Sequence, residues 1–295
     1  MVTSPDSQSA PFSQRWVKVL RPEGFRDMAY TQWGDPHGKR VCLCVHGLTR
    51  NGRDFDDLAA ALSGDPEVPR RVLCPDVLGR GKSDWLVDST GYDLAAYAAD
   101  MATLIARSGA EEVDWVGTSM GGLIGMLIAA SPGTPIRRLV LNDVGAFIPK
   151  AALERISEYV SRPPVFDDLK DLEAYLRDIH RSFGPLSDAA WARVAEHSHR
   201  IDENGRIAMH YDRRIAASIA QLETLEDVDL WPVWEAIRVP TLVVRGAESD
   251  LLTAATAQRM THSGPQAKLL EIPGVGHAPW LASADQIQPI VDFLA

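Results

Sequence analysis

Residues 113–126 read VDWVGTSMGGLIGM, and this stretch decides the fold. An apolar run of strand length ends at Gly117, and a helix-like apolar run begins directly after Ser119. A turn this tight forces the serine into a strained backbone conformation and leaves no room for side chains at Gly117 and Gly121. The pattern therefore predicts that Ser119 Oγ stands above the strand end. It also predicts that the Met120 N–H lies at a helix N-terminus, where an anion is favoured.

Further apolar runs of strand length recur on both sides of this turn. They are continuous rather than alternating, which is typical of strands buried on both faces of a parallel sheet. The predicted strands are residues 41–47, 71–77, 113–119, 136–145, 241–246 and 267–274. Helical spacing between them predicts βαβ units in an α/β, doubly wound sheet. The earlier runs WVKVL and MAYTQWG predict an antiparallel pair at one edge.

The alternation of strand and helix stops near Gly145 and resumes near Thr241. The segment between them is rich in helical patterns and offers no clear strand, so we expect a helical lid inserted between two strands. The predicted parts are an α/β core (15–145 and 236–295), a lid (146–235) and a flexible lead-in (1–14). The last helical pattern follows Ser283-x-x-Gln286, which predicts a capping box.

Composition restricts the kinds of partner. The 295 residues carry a net charge of −10, which argues against nucleic acid because its partners present a basic face. Cys42, Cys44 and Cys74 fall in predicted core strands and indicate small hydrophobic residues rather than disulfides or a zinc site. No apolar run reaches the ~20 residues that span a bilayer, and the N-terminus lacks signal-peptide features. We expect a soluble, cytoplasmic protein with a small-molecule substrate, and leave its oligomeric state open.

A serine between two glycines is a weak signal unless its partners follow in the right places. His46 closes an earlier apolar run, so that the Leu48 N–H can face the same oxyanion as the Met120 N–H. Asp250 closes RGAESD just past a strand, and His277 lies in GVGHAPW after the last strand. The chain order serine, aspartate, histidine is the one expected for a serine in such a turn.

The three side chains have complementary roles. Serine is a poor nucleophile until a base takes its proton; His277 is a suitable base, and Asp250 would hold its tautomer and stabilise the imidazolium. Asp143, which follows the preceding main strand, is the principal alternative for the acid. We predict Ser119, His277 and Asp250 as the catalytic residues, with Leu48 and Met120 as the backbone donors of the oxyanion hole.

These motifs together resemble the α/β-hydrolase superfamily, in the form that carries a helical cap. The resemblance covers residues 28–295. It rests on HG (46–47), DVLGRGKSD (76–84), GTSMGG (117–122), GAESD (246–250) and GVGHAP (274–279). It implies a mostly parallel eight-stranded sheet, a cap over the site and no cofactor. A common variant of the family has histidine at the position of Thr118, a departure that leaves the serine and the glycines untouched.

The predicted activity is hydrolysis of a small carboxylic ester through an acyl-enzyme, as in a carboxylesterase. Hydrolysis of a carbon–carbon bond in ring-cleavage products is an alternative, as is perhydrolase or haloperoxidase chemistry. From a different class, some members of the superfamily that retain the three residues are ligand receptors or signalling partners. Turnover separates these classes, because a receptor shows at most one covalent round.

Three further sets of residues are candidates that also have simpler interpretations. Arg50 is a candidate for binding a substrate carboxylate, although a solvated surface arginine is the more common case. Trp231 is a candidate for lining the substrate pocket, with packing of the lid as the alternative. His197 and His199 lack the carboxylate or cysteine company of a metal site, so we predict no metal.

Overall fold

A computed structural model describes residues 12–160, 163–216 and 227–295, the Tyr159 side chain excepted. The strands are β1 (Phe12–Arg21), β2 (Gly24–Trp33), β3 (Val41–Val45), β4 (Arg71–Pro75), β5 (Val113–Thr118), β6 (Ile136–Asn142), β7 (Phe147–Ile148), β8 (Val165–Phe166), β9 (His199–Ile201), β10 (Ile207–Met209), β11 (Val228–Asp229), β12 (Thr241–Gly246) and β13 (Lys268–Ile272). The helices are α1 (Asp56–Gly64), α2 (Leu94–Ser108), α3 (Met120–Ala130), α4 (Lys150–Val160), α5 (Leu169–Ile179), α6 (Asp188–Ser198), α7 (Trp231–Ala236), α8 (Ala254–Met260) and α9 (Ala284–Leu294).

Eight strands form one sheet in the order β1-β2-β4-β3-β5-β6-β12-β13. The strands from β4 to β13 are parallel, and β1 and β2 pair antiparallel at one edge. The predicted α/β fold with a mostly parallel sheet is confirmed, and so are all six predicted strands and the edge pair. Because parallel strands end at the same edge, the loops after β3, β5, β6, β12 and β13 meet there.

The continuous apolar runs are explained by burial on both faces of the sheet. Leu43 and Trp115 belong to the core on one face, whereas Cys42, Cys44 and Val116 belong to the core on the other. Successive strand residues point to opposite faces, so both sets must be apolar. The cysteines are free and buried, as expected for small hydrophobic residues.

The chain between β6 and β12 leaves the main sheet and contains α4 to α7. The expectation of no strand there was wrong, because β8, β10 and β9 form a three-stranded sheet and β7 pairs with β11. Strands of two or three residues are too short to show a period of two in the sequence. The division into core and lid remains a prediction, and part of that lid, residues 161–162 and 217–226, lies outside the described residues.

Two local predictions at the ends of the chain are corrected. Residues 12–14 belong to β1 and pair with β2, so they are not part of a lead-in; residues 1–11 lie outside the described chain. Ser283 precedes α9 but its side chain makes no capping hydrogen bond. The chain turns at Leu281, with φ 55°, and the Leu281 N–H donates to Gln286 Oε1 at 2.8 Å in place of a capping box.

Within residues 12–160, 163–216 and 227–295, the helices are all too short or too polar to cross a lipid bilayer.

Candidate active site

The turn between β5 and α3 has the strained geometry expected from its sequence. Ser119 has φ 51° and ψ −116°, a conformation that L-residues rarely adopt. A Cβ at Gly117 would lie 2.3 Å from the Gly121 carbonyl oxygen, and a Cβ at Gly121 would lie 1.9 Å from the Val45 carbonyl oxygen. Glycine at position 117 therefore allows the first turn of α3 to pack close to the end of β5, and glycine at position 121 allows it to pack against the end of β3.

Gly121→Ala should destabilise the protein by about 2–3 kcal/mol, because the new methyl group meets backbone that cannot move away cheaply. Gly64→Ala is the matched control, since a Cβ there meets no atom within 4 Å. The free energy of unfolding, measured by urea denaturation, should fall for the first variant and stay within about 0.5 kcal/mol for the second. Equal stability of the two variants would show that the turn is not packed in this way.

His277 joins Ser119 to a buried carboxylate. Its Nε2 lies 3.0 Å from Ser119 Oγ, and its Nδ1 lies 2.8 Å from Asp143 Oδ2. Asp143 follows β6 directly and is fully buried. With the carboxylate ionised, this arrangement assigns the N–H to Nδ1 and leaves Nε2 free to accept the Ser119 proton.

The prediction that Asp250 contacts His277 is wrong, and the alternative, Asp143, occupies that position. The Asp250 side chain is 51% exposed and accepts two hydrogen bonds from Arg155 on α4, at 2.6 and 2.8 Å. Arg155 holds the pKa of this carboxyl below its ordinary value, against the opposing effect of desolvation. The loop after β12 therefore pairs Asp250 with the inserted segment, and the imidazole has its hydrogen bond with Asp143 instead.

Asp143 is held by groups from the neighbouring strand β12 and its loop. The Gly246 N–H donates to Asp143 Oδ1 at 2.7 Å, and Ser249 Oγ–H donates to Oδ2 at 2.5 Å. Three donors including His277 Nδ1 thus surround the buried carboxylate, and they stabilise its negative charge and fix its orientation. The GAESD motif contributes a serine that supports the acid, although it does not supply the acid itself.

Asn142 links the three loops that carry these side chains. Its Nδ2 donates to Thr118 Oγ1 at 3.0 Å and to the Pro279 carbonyl oxygen at 2.8 Å. The backbone carbonyl oxygen of Asn142 accepts from the Ser119 N–H at 2.9 Å. Threonine at position 118 therefore takes part in ordering the site.

The loop after β3 brings Leu48 into the walls of the same cavities as Ser119. His46 is fully buried, and burial lowers its pKa to about 3, so the ring is neutral with one donor and one acceptor. Its Nδ1–H donates to the Gly47 carbonyl oxygen at 2.6 Å, and its Nε2 accepts from the Val77 N–H at 2.9 Å. Within the described chain, the Leu48 and Met120 amides donate to no protein acceptor, so both are free for a ligand oxygen.

Arg80 is a residue of the site that the sequence analysis missed. Its guanidinium is fully buried, donates from Nε to the Leu48 carbonyl oxygen at 2.8 Å, and lies 3.4 Å from Met120 Sδ. It also donates to the Tyr97 hydroxyl at 2.5 Å. The Arg80 guanidinium thus contacts both Leu48 and Met120, the two residues with free backbone amides. The only signal in the sequence was its place in DVLGRGKSD, one of the motifs on which the family resemblance rests.

Two cavities meet at Ser119. The first, named here the His277 cavity, is small at about 50 Å³, and its lining includes Leu48, Arg50, Ser119, His180, Phe183 and His277. The second, named the apolar cavity, is about 310 Å³, and its lining includes Leu48, Ser119, Met120, Leu123, Val144 and Leu251. Ile156 on α4 borders both, so the inserted segment forms part of their walls.

The two predicted substrate-binding residues have different positions. Arg50 lies in the wall of the His277 cavity and is only 5% exposed, so the alternative of a solvated surface arginine is wrong. Trp231 borders neither cavity at Ser119, and the Arg259 guanidinium stacks 3.6 Å from its ring centroid. Trp231 therefore does not reach the serine, because α7 places it beside α8 instead.

Among the described residues, no group of three or more histidine, cysteine or acidic side chains is arranged to hold a metal ion. His199 Nδ1 instead donates to the Glu196 carbonyl oxygen, near the end of α6, at 2.7 Å.

Comparison with known proteins shows the family of the chain. Residues 42–288 match the model of the alpha/beta hydrolase family. The chain belongs to this family. The superfamily resemblance and the prediction of an enzyme of the α/β-hydrolase type are thereby confirmed.

Relatives within the family align over nearly their whole length. The chain is 45% identical over 280 residues to the 3-hydroxybutyrate-oligomer hydrolase of Cupriavidus necator, an alignment that covers 92% of this chain and 94% of that enzyme. Its fold is similar to that of an alpha/beta hydrolase from Novosphingobium aromaticivorans, with 36% identity, a TM-score of 0.84 and coverage of 97% and 98%. A Rickettsia typhi protein solved by X-ray crystallography gives 31% identity, a TM-score of 0.86 and coverage of 96% and 98%.

Proposed function

We propose that this protein is a serine hydrolase that cleaves small carboxylic esters through an acyl-enzyme intermediate. The observation that carries the proposal is the continuous contact from Ser119 Oγ through His277 to Asp143, beside two free backbone amides. A serine, a base and a buried orienting acid in this geometry are the requirements of nucleophilic acyl transfer. Chemistries of the family that need an aspartate nucleophile are excluded by the serine at position 119.

The reaction follows from the positions of the groups. Ser119 Oγ attacks the ester carbon while His277 Nε2 takes the hydroxyl proton, and Asp143 stabilises the imidazolium that forms. The Leu48 and Met120 amides donate to the oxyanion. His277 then gives its proton to the leaving alkoxide, and a water activated by the same imidazole releases the acid from the serine.

Short oligoesters of hydroxy acids are the proposed substrate class. The relative at 45% identity is named for hydrolysis of 3-hydroxybutyrate oligomers, and its alignment covers almost all of both chains. Each step of such a reaction splits an ordinary ester between a short acyl group and a short hydroxy acid. Two cavities of small volume that meet at one serine suit these two portions. We propose that the segment 146–235 acts as the cap that bounds both.

Multiple turnovers with short-chain esters would support the proposal. We expect steady-state release of p-nitrophenol from acetate and butyrate esters, with longer acyl chains falling off once they exceed the apolar cavity. Exhaustive chelation should leave the rate unchanged, since none of the proposed steps uses a metal. A single covalent round without turnover would indicate a receptor, and preference for a ring-cleavage dienoate would indicate carbon–carbon bond hydrolysis. Either outcome contradicts the proposal.

A further inference from the structure

His180 presents an unpartnered polar ring in the wall of the His277 cavity. The residue follows α5, is 2% exposed, and its Nε2 has no hydrogen-bond partner within the described residues. Its ring packs 4.4 Å from the Phe183 ring and 5.7 Å from the Trp280 ring, centroid to centroid. Buried polar groups without a partner are exceptional in folded proteins, because their desolvation is not compensated. An unpaired ring nitrogen beside a substrate cavity is suited to form a hydrogen bond with a polar atom of the ligand.

The imidazole of His180 is neutral. Burial, assisted by the positive charge of Arg50, holds the pKa of this imidazole well below its ordinary value. A neutral ring offers one N–H donor and one acceptor nitrogen. It therefore hydrogen-bonds to an oxygen function without adding charge to the cavity.

Arg50 supplies further donors to the same cavity. Its Nε and Nη2 donate to Asp54 at 2.8 and 2.6 Å, and its Nη1 donates to Ser198 Oγ at 2.9 Å. A guanidinium has five N–H groups, so one on each terminal nitrogen is left for a ligand. The Asp54 carboxylate offsets the arginine charge, so this wall offers several donors with little net charge. Such a wall accepts a carbonyl oxygen as well as a carboxylate.

The position of His277 indicates which part of the ester occupies each cavity. A general acid must lie within hydrogen-bond reach of the leaving oxygen, and His277 borders only the smaller of the two cavities. The alcohol portion of the ester therefore lies in the His277 cavity, beside His180 and Arg50. The acyl portion lies in the apolar cavity, which Met120 borders.

We propose that His180 and Arg50 donate hydrogen bonds to a carboxyl oxygen on the alcohol portion, and so select esters whose leaving group is a short hydroxy acid. The carboxyl oxygen belongs either to a free carboxylate or to a further ester, since both present the same acceptor. The inference rests on the proposed function, because it requires that Ser119 and His277 cleave an ester between the two cavities.

The test compares three butyrate esters with the same acyl group. Their alcohols are 3-hydroxybutyric acid, its methyl ester, and 4-methyl-2-pentanol, in which an isopropyl group replaces the carboxyl group at nearly the same shape. For the wild-type enzyme, kcat/KM should favour at least one of the two carboxyl-bearing esters over the isopropyl ester by about tenfold or more. A preference confined to the free acid would identify a carboxylate site, and a preference shared by the methyl ester would identify an acceptor site for oligoesters.

His180→Phe removes both ring nitrogens and should reduce this preference to near one. His180→Gln keeps a donor and an acceptor and should retain part of it, which distinguishes hydrogen bonding from filling of space. Arg50→Lys keeps the charge but loses the planar arrangement of donors, and should also lower the preference. His262→Phe is the control, because His262 is exposed and borders neither cavity, and the preference should be unchanged.

Different results would contradict the role of His180 and Arg50 and the proposed ester hydrolase function. Equal kcat/KM for all three esters in the wild-type enzyme, or an unchanged preference in both His180→Phe and Arg50→Lys, would overturn the assignment of His180 and Arg50 while leaving the ester hydrolase intact. Failure to turn over any ester, or turnover that survives Ser119→Ala, would overturn the proposed function itself. Thermal unfolding of each variant shows whether a loss of preference comes from a loss of folded protein.

Discussion

Ser119→Ala should lower kcat for ester hydrolysis by about 10⁵- to 10⁶-fold and leave the fold intact, as loss of the nucleophile does in serine proteases. The serine Oγ is the atom that lies 3.0 Å from His277 Nε2, and no other hydroxyl is placed against that nitrogen in the described chain. Alanine also fits the space, because it removes one atom and keeps the Cβ already present. The measurement is kcat with p-nitrophenyl butyrate, together with thermal unfolding of both proteins.

The residual rate of the alanine variant is informative. In serine proteases that lack the nucleophile, oxyanion donors and substrate binding alone keep the rate about 10³- to 10⁴-fold above the uncatalysed rate in water. The alanine variant therefore need not lose all activity. A variant that keeps more than about one-hundredth of the wild-type kcat would place the nucleophile elsewhere.

Asp143→Asn should lower kcat by about 10⁴-fold, by analogy with the equivalent change in a serine protease. An asparagine amide in place of Asp143 Oδ2 would present N–H groups to His277 Nδ1, which lies 2.8 Å away. The imidazole would then adopt the other tautomer, with its N–H directed at Ser119 Oγ, and it could not take the serine proton. The same change also disturbs the hydrogen bond from Ser249.

Asp250→Asn is the matched control for the acid. The change is the same, but it falls on a half-exposed carboxylate that pairs with Arg155. We expect kcat to change by less than about threefold and the free energy of unfolding by less than about 1 kcal/mol, as for other surface ion pairs. A larger loss of kcat for Asp250→Asn than for Asp143→Asn would reverse the assignment of the acid.

Much of the fold follows from local signals in the sequence. The parallel strands were predicted because both of their faces are buried, which makes each run continuously apolar. The turn at Ser119 was predicted because a strand that passes directly into a helix leaves no room for side chains at positions 117 and 121, and both are glycine. The position of His277 followed from its place after the last strand.

The acid was misassigned because sequence order does not fix which strand-end loop reaches the imidazole. Asp143 and Asp250 both follow strands whose carboxyl ends meet at the same edge of the sheet. Burial decides between them, and it depends on the path of each loop: Asp143 is enclosed by β12 and Ser249, whereas Asp250 faces Arg155 on α4. The arginine lies 95 positions away in the sequence, so a reading of local motifs gave no sign of it.

The polar residues of the cavity wall were predicted only in part. Arg50 was a candidate for binding a substrate carboxylate, but the sequence did not show that it is buried, and His180 was not among the candidates. Their burial comes from contacts between the loop after β3 and the inserted segment, such as the hydrogen bond from Arg50 to Ser198 across 148 positions. Long-range packing of this kind has no period or motif for a single sequence to show.

The central claim is that Ser119 forms a covalent acyl intermediate, and a serine-reactive phosphonate tests it most directly. The wild-type protein should take up one equivalent, lose its esterase activity in proportion, and show the adduct on Ser119 alone when its peptides are mapped by mass spectrometry. Ser119→Ala should take up none, and Asp143→Asn should react much more slowly. An adduct on another residue, or an enzyme that remains unlabelled while it hydrolyses esters at full rate, would contradict the account.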